Sequence, residues 1–402
     1  MLTLPALAAV TLSLSDGSSA DVRYVPEAGG TALDLSTAPA ANLAFTTKAS
    51  SFDVSYSVRL ARFDVTRTND FGTQHLAGVG YSWGRRRLQL RLTLSGTYGE
   101  VLFYNAIVAP PAIAPVTTDG GTPQTPTTPP MMQPRPQLVP QASVLTIVGL
   151  GAALAVNYRF SRHWSGFMGL GFGVGGGIHG SETNLPFHYG PSAGAGATYK
   201  LTQLDSLGSS LTGAVDFAPK THGKFETITL LETYTHGFSP LTLGSIGAGA
   251  SYVQIRPSQH ASRTRTVNAA GIASLSHTFK LEGGAQMTAA AGASLLSNYD
   301  PVLGTVTQGL GANAGLGWSR KKLTMTAGAQ TGHSLPFSDP NAFVTYGATA
   351  GASYQLFTPV QLRVGGFWSH QVLPAASTLA NPIPDRWGAS LGITLVAPPI
   401  VL

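Results

Sequence analysis

Apolar and polar side chains alternate along most of this chain. Between residues 87 and 95, Leu88, Leu90, Leu92 and Leu94 interleave with Arg87, Gln89, Arg91, Thr93 and Ser95. Successive side chains of an extended strand point to opposite faces, so this stretch predicts a strand with one aliphatic and one polar face. The pattern returns at 52–61, where Phe52, Val54, Tyr56, Val58 and Leu60 oppose Asp53, Ser55, Ser57 and Arg59. It returns again at 144–160, 323–326, 360–369 and 387–395. A soluble sheet with a core on one side shows the same alternation in a few strands. Recurrence in segments that reach the roughly 9–11 residues of a transmembrane strand predicts a membrane barrel.

The connections alternate as well. Short turns fall at 48–51, 84–86, 161–163, 202–205, 237–239, 282–284, 319–321 and 357–359. Longer loops fall at 64–70, 101–143, 179–187, 219–223, 256–264, 298–302, 335–342 and 374–384. Short periplasmic turns alternating with longer extracellular loops are the outer-membrane pattern. Seventeen strands can be counted from about residue 39 to residue 397. With both termini periplasmic the number is even, and the further strand falls at 19–25, where Val22 and Tyr24 alternate with Asp21 and Arg23. The expectation is one all-β, antiparallel up-and-down transmembrane barrel of 18 strands. Sixteen is the alternative, if the first two segments are periplasmic. Residues 1–18 read as an N-terminal segment holding a signal-peptide remnant, with small residues at Ala6 and Ala8 but no basic n-region. A mature chain with an added Met is the alternative there. Residues 19–397 read as the barrel, 105–143 as a Pro-rich extracellular loop holding ten of the 27 prolines, and 398–402 as a tail.

Composition sharpens this. Charged residues are only 10 % of the 402, against about 25 % in soluble domains. No stretch of about 18 apolar residues occurs, so a transmembrane helix is not expected. Strands rich in Gly and Ala at 166–177, 193–197, 244–250, 287–293 and 309–317 alternate too weakly to fix their register. The absence of cysteine excludes disulfides, thiolate zinc and iron–sulfur sites.

Candidate chemistry is sparse. The run Gly171-Phe-Gly-Val-Gly-Gly-Gly177 lies inside a predicted strand, without the helix N-terminus that phosphate binding needs. There is no P-loop, and the ten histidines form no metal-spaced pair. His179, His188, His222, His260, His333 and His370 read as loop histidines. No cofactor, no metal and no enzymatic activity are expected, and no basic–aromatic interleaving suggests nucleic acid. The cations say more. Lys48, Arg85, Arg86, Arg87, Arg162, Lys200, Lys280, Arg320, Lys321 and Lys322 sit at or beside the short turns. They read first as interfacial anchors. Alternatively, Arg85, Arg86, Arg87, Arg320, Lys321 and Lys322 form a periplasmic rim for an acidic partner or an anionic polymer. Arg59, Arg91, Arg159 and Arg363 fall on polar strand faces, with Asp53 and Asp216 as acids of the same lumen. Such residues either tune a pore or knit an ion-pair network. Tyr81, Trp83, Tyr98, Tyr104, Trp164, Tyr199, Trp318, Trp368 and Trp387 read as girdles at the membrane interfaces.

The block from Leu76 to Glu100, LAGVGYSWGRRRLQLRLTLSGTYGE, followed by a Pro-rich loop, resembles a group of myxobacterial outer-membrane barrels. The strand at 52–63 and the turn YRFSRHW at 158–164 are similar too. The resemblance implies an 18-stranded barrel in the bacterial outer membrane, working with a periplasmic polysaccharide co-export protein as a conduit for exopolysaccharide. It implies contact with the lipid bilayer and lipopolysaccharide, and carries over no specific site. One departure is the C-terminus, which continues through Ala397-Pro-Pro-Ile-Val-Leu402 instead of closing on an aromatic. A general diffusion porin for small anionic solutes and a non-conducting structural or surface-binding barrel are the other readings.

Overall fold

In the computed structural model, the described residues are 9–25, 30–63, 70–103, 143–181, 185–220, 222–256, 262–300, 305–335, 344–372, 385–398 and 400–401. They form β1 (Ala9–Val25), β2 (Gly30–Thr46), β3 (Ser50–Phe63), β4 (Asp70–Gly84), β5 (Leu88–Phe103), β6 (Ser143–Arg159), β7 (Trp164–Ile178), β8 (His188–Lys200) and β9 (Asp205–Ala218). The second half holds β10 (Gly223–Ser239), β11 (Thr242–Arg256), β12 (Thr264–Lys280), β13 (Gln286–Asp300), β14 (Thr305–Arg320), β15 (Leu323–Leu335), β16 (Val344–Phe357), β17 (Val360–Val372) and β18 (Arg386–Val396). A two-residue β19 (Ile400–Val401) follows.

Each strand pairs antiparallel with the next, and β1 pairs with β18 from Ser15↔Val396 to Tyr24↔Trp387. The sheet is therefore a closed 18-stranded barrel, with β19 extending β18 along β1 through Thr11↔Val401 and Leu12↔Ile400. Closure gives every strand two neighbours for its backbone N–H and C=O groups, which the interior of a bilayer demands. Proline shows what interrupts it. The β2–β3 ladder skips Ala38 and Pro39, and the β8–β9 ladder skips Gly190 and Pro191, because Pro has no N–H to donate.

Two boundaries differ from the sequence expectation. β1 begins at Ala9 instead of residue 19, and all ten of the earlier residues pair with β2. Val10, Leu12 and Leu14 alternate there with Thr11, Ser13 and Ser15, and Asp16 and Ser18 then interrupt the apolar pattern on the same face. Ile400 and Val401 are in the ladder, not in a tail: they pair with Leu12 and Thr11 of β1. Residues 1–8 and, apart from Ser143, the Pro-rich segment lie outside the described residues, as do Tyr104 and His260.

The register resolves two faces all the way round. On the outer face, Phe52, Val54 and Tyr56 of β3 align with Tyr81, Val79 and Ala77 of β4, and those with Leu92, Leu94 and Gly96 of β5. Large apolar side chains there are solvent-accessible in the isolated chain, as a lipid-facing band must be: Leu94, Leu170, Leu211, Ile228, Ile246 and Leu391 are all exposed. The inner face is mostly polar or small. In the weakly alternating strands the rule is alanine outward and glycine inward. Ala289, Ala291 and Ala293 align with Leu316, Ala314 and Ala312, while Gly311, Gly315 and Gly317 share the opposite face. β7 is sharper still: Met168, Leu170, Phe172 and Val174 point out, and Gly169, Gly171, Gly173, Gly175 and Gly177 point in.

The turns that follow β2, β4, β6, β8, β10, β12, β14 and β16, and both described ends of the chain, lie at one end of the barrel. The interfacial aromatics Trp83, Trp164, Tyr199 and Trp318 lie on outward positions at that end, and Tyr98, Trp368 and Trp387 at the other. The entry to β18 is pinned there. His370 Nδ1 donates to Asp385 Oδ1 at 2.5 Å, and Trp368 Nε1 donates to Asp385 Oδ2 at 3.3 Å. These bonds, His370 first, hold the exposed Asp385 carboxyl below its ordinary range. A lowered carboxyl supports the fold above its unfolded value and loses that support as pH falls through the folded one. Acid titration of tryptophan fluorescence is therefore expected to show a transition with a midpoint below the usual carboxylate range. Asp385→Asn should remove it; an unchanged transition in that variant would detach it from Asp385.

Candidate functional site

Inward positions near the short-turn end carry a group of charged side chains. Asp53 and Arg59 occupy the polar face of β3, with Asp53 opposite Gly80, where a Cβ would collide with its carboxylate. Arg91 of β5 stands between Ser82 and Ala155, and Arg159 ends β6 on the same face. The Arg159 guanidinium Nε donates to the Ser161 carbonyl at 3.2 Å. Arg363 of β17 lies between Ser353 and Gly392 and donates through Nε and Nη2 to Gln361 Oε1 at 3.1 and 3.0 Å. Asp216 is near the opposite end on β9, buried at 8 % exposure and within electrostatic range of His188. Arg91, Arg159 and Arg363 thus share one end of the barrel, Arg59 sits higher, and Asp216 is remote from all of them.

The turn cations cluster in two sectors. Lys48, Arg85, Arg86, Arg87, Arg162 and Lys200 belong to the turns from β2 to β9, and Lys280, Arg320, Lys321 and Lys322 to those from β12 to β15. The turns at 240–241 and 358–359 carry no charge. Including Arg159, eleven cations face two turn carboxylates, Asp205 and Glu282, so this end is strongly positive. Some of these cations are structurally engaged. The Arg85 guanidinium sits 5.7 Å from the centre of the Trp83 ring, and Lys322 Nζ donates to the Leu356 carbonyl at 3.1 Å. Arg320 packs over Gly283, whose φ of 70° favours glycine and whose Cβ position would lie 3.0 Å from that guanidinium.

Sequence reasoning missed part of the inner face. Asp21 and Asp34 pair across β1 and β2 on inward positions, with Ser19 and Ser36 hydrogen-bonded beside them at 2.9 Å. Asp34 is 2 % exposed. The alternation of Leu33 and Leu35 around Asp34 was the available signal. His188 is not in a loop: it opens β8 on the inner face, where the alternation of His188, Gly190 and Ser192 with Tyr189 and Ala193 places it. Nor is the inner face polar throughout. Phe225, Val253 and Ile255 form a buried apolar cluster on inward positions of β10 and β11, near the long-loop end. Among the described residues no group of His, Asp or Glu has the spacing to hold a metal ion.

An outward apolar band, an inward polar face, aromatic girdles and a closed 18-strand wall define an outer-membrane β-barrel of the channel type. The chain belongs to the EpsX exopolysaccharide export family, whose model matches residues 7–280. Among solved structures it is similar to OccK9 (OpdG) of Pseudomonas aeruginosa, with a TM-score of 0.51 at 11 % identity over 97 % of this chain and 98 % of that one. OccK2 (OpdF) of the same organism, solved in complex with glucuronate, gives 0.49 at 11 % identity, with 98 % of both chains covered. OpdL gives 0.49 at 11 %, covering 96 % and 98 %. At these identities the likeness to OccK9 speaks for the fold. No curated protein sequence matches the chain.

Proposed function

We propose that this barrel is the outer-membrane conduit through which a secreted polysaccharide leaves the cell, fed by a periplasmic co-export partner. The observation that carries this reading is the family match across residues 7–280. The basic short-turn end supports it: Arg85, Arg86, Arg87, Arg320, Lys321 and Lys322 form the periplasmic rim that meets the partner or the polymer, and Arg59, Arg91, Arg159, Arg363, Asp53 and Asp216 line the path. A long-range positive field there raises the local concentration of an anionic chain or an acidic protein. The sequence carries no P-loop, and this reading takes its driving force from periplasmic or inner-membrane partners.

A second reading, a diffusion porin for small anionic solutes, is favoured by the barrel itself, since 16–18 strands are the size of porins that hold an aqueous channel. Deletion of the gene in its native host separates the two. The export reading expects surface polysaccharide to be lost while polymer accumulates inside the outer membrane, with small-solute uptake unchanged. Normal surface polysaccharide in the deletion strain would refute export and leave the porin.

A further inference from the structure

The outer face carries a site of its own. At the long-loop end of β8 to β12 a cavity of about 340 Å³ opens on the lipid-facing side. Its floor is the stacked pair Tyr189 and Phe217, with ring centres 5.4 Å apart. Its walls include Lys224, Glu226, Gln254, Arg256 and Arg263. The register leaves no doubt about the face: Tyr189, Phe217, Lys224, Glu226, Gln254 and Arg256 share the parity of Leu211, Ile228 and Tyr252, which belong to the outer apolar band.

The polar groups are organised. Lys224 pairs with Glu226, and its ammonium lies 5.5 Å from the centre of the Phe217 ring. Gln254 Nε2 donates to Glu226 Oε2 at 2.6 Å, and Arg265 Nε donates to Gln254 Oε1 at 3.0 Å. Glu226 is thereby committed to Lys224 and Gln254. Three cations and one carboxylate line the cavity, a formal charge of +2. Immediately towards the membrane centre the same face becomes apolar, with Ile228 51 %, Leu211 51 % and Val267 72 % exposed.

We infer that this cavity binds a phosphorylated headgroup of an outer-leaflet glycolipid. The long loops are extracellular, so the cavity stands at the level of the outer-leaflet headgroups, directly above the acyl region. Arginine forks match phosphate oxygens in geometry and charge. The aromatic floor offers a flat apolar surface to a sugar ring or the start of an acyl chain. The occupant needs both an anionic head and a hydrophobic tail, which a soluble anion lacks. The inference rests on the membrane placement of the barrel and is independent of its cargo.

The test uses the full-length, delipidated barrel in detergent and measures binding of bisphosphorylated lipid A by native mass spectrometry. Dephosphorylated lipid A and inorganic phosphate are the comparison probes. Arg256→Gln with Arg263→Gln is expected to weaken lipid A binding about tenfold or more, as loss of charge-assisted hydrogen bonds does. Removing the phosphates from the lipid should weaken it similarly. Arg263→Gln alone lies outside the strands and leaves the ladder intact; it should show part of the loss while the protein keeps its heat-modifiable migration. Equal binding of the two lipids, unchanged binding by the variants, or full displacement by inorganic phosphate would each overturn the inference.

Discussion

Replacing Arg91, Arg159 and Arg363 together by glutamate is expected to turn an anion-preferring conductance into a cation-preferring one. All three occupy inward positions at the short-turn end of β5, β6 and β17, and the substitution takes their formal charge from +3 to −3. Asp53 lies at a similar level, and Arg59 several residues higher on the same strand. At physiological salt a Debye length of about 8 Å screens the turn cations outside the wall more than charges projecting into the path. Selectivity should therefore follow the three inward arginines and change little when Arg320, Lys321 and Lys322 are replaced. The measurement is the reversal potential of single channels in a planar bilayer under a salt gradient. An unchanged reversal potential in a folded triple variant would mean that current does not pass these side chains. If the wild-type barrel does not conduct at all, the free-porin reading falls. A plugged or partner-gated conduit then remains, and deleting residues 109–140 and repeating the recording tests the Pro-rich segment as the plug.

The second large effect tests the two faces with neighbouring residues. Leu94 and Ser95 lie near the middle of β5; Leu94 aligns with Val79 and Ala152 on the outer face, Ser95 with Gly78 and Gly151 on the inner one. Arginine on a lipid-facing position near the midplane costs about 2–4 kcal/mol, while a lumenal position tolerates it. Leu94→Arg is therefore expected to destabilise the barrel by that amount in denaturant unfolding from lipid vesicles. Ser95→Arg should be close to neutral, because the glycines beside it leave inward space. Equal costs for both would contradict the assigned register of β5.

The comparison of sequence with structure divides along physical lines. Strands β3, β5, β6, β17 and β18 were legible because leucine, valine and aromatics outside meet Arg, Asp, Ser and Thr inside, so period two is loud. The turns were legible because only a few residues separate one pattern from the next. β13 to β16 were harder: alanine and glycine differ little in hydropathy, and the methyl that marks the lipid side carries almost no signal. The start of β1 was missed because Asp16, Ser18 and Thr37 share the outer face, where Thr37 Oγ1 donates to Asp16 Oδ1 at 2.9 Å. Those side chains satisfy one another, a contact no periodicity reveals. The outward cavity at Tyr189 and Lys224 was invisible for the same reason: its residues come from four strands and gather only through the register. The turn arginines and lysines were readable one by one, but their grouping into two sectors separated by the uncharged turns at 240–241 and 358–359 follows from closure of the barrel.

The alanine-out, glycine-in strands have a mechanical consequence. Eighteen strands fix the circumference of the backbone, and the side chains then determine how much of the enclosed cross-section is occupied. Across β13 to β16 and along β7, many inward positions add nothing beyond the backbone itself. Along β7 the wall is close to the thinnest a polypeptide can make, whereas in β13 to β16 the inward glycines alternate with hydrogen-bonding side chains such as Thr288, Asn313, Gln330 and Thr349. Arginine-bearing strands adjoin them: β6 pairs with β7, and β17 with β16. A long polymer moving through such a tube would meet arginines and glycine-lined wall on neighbouring strands.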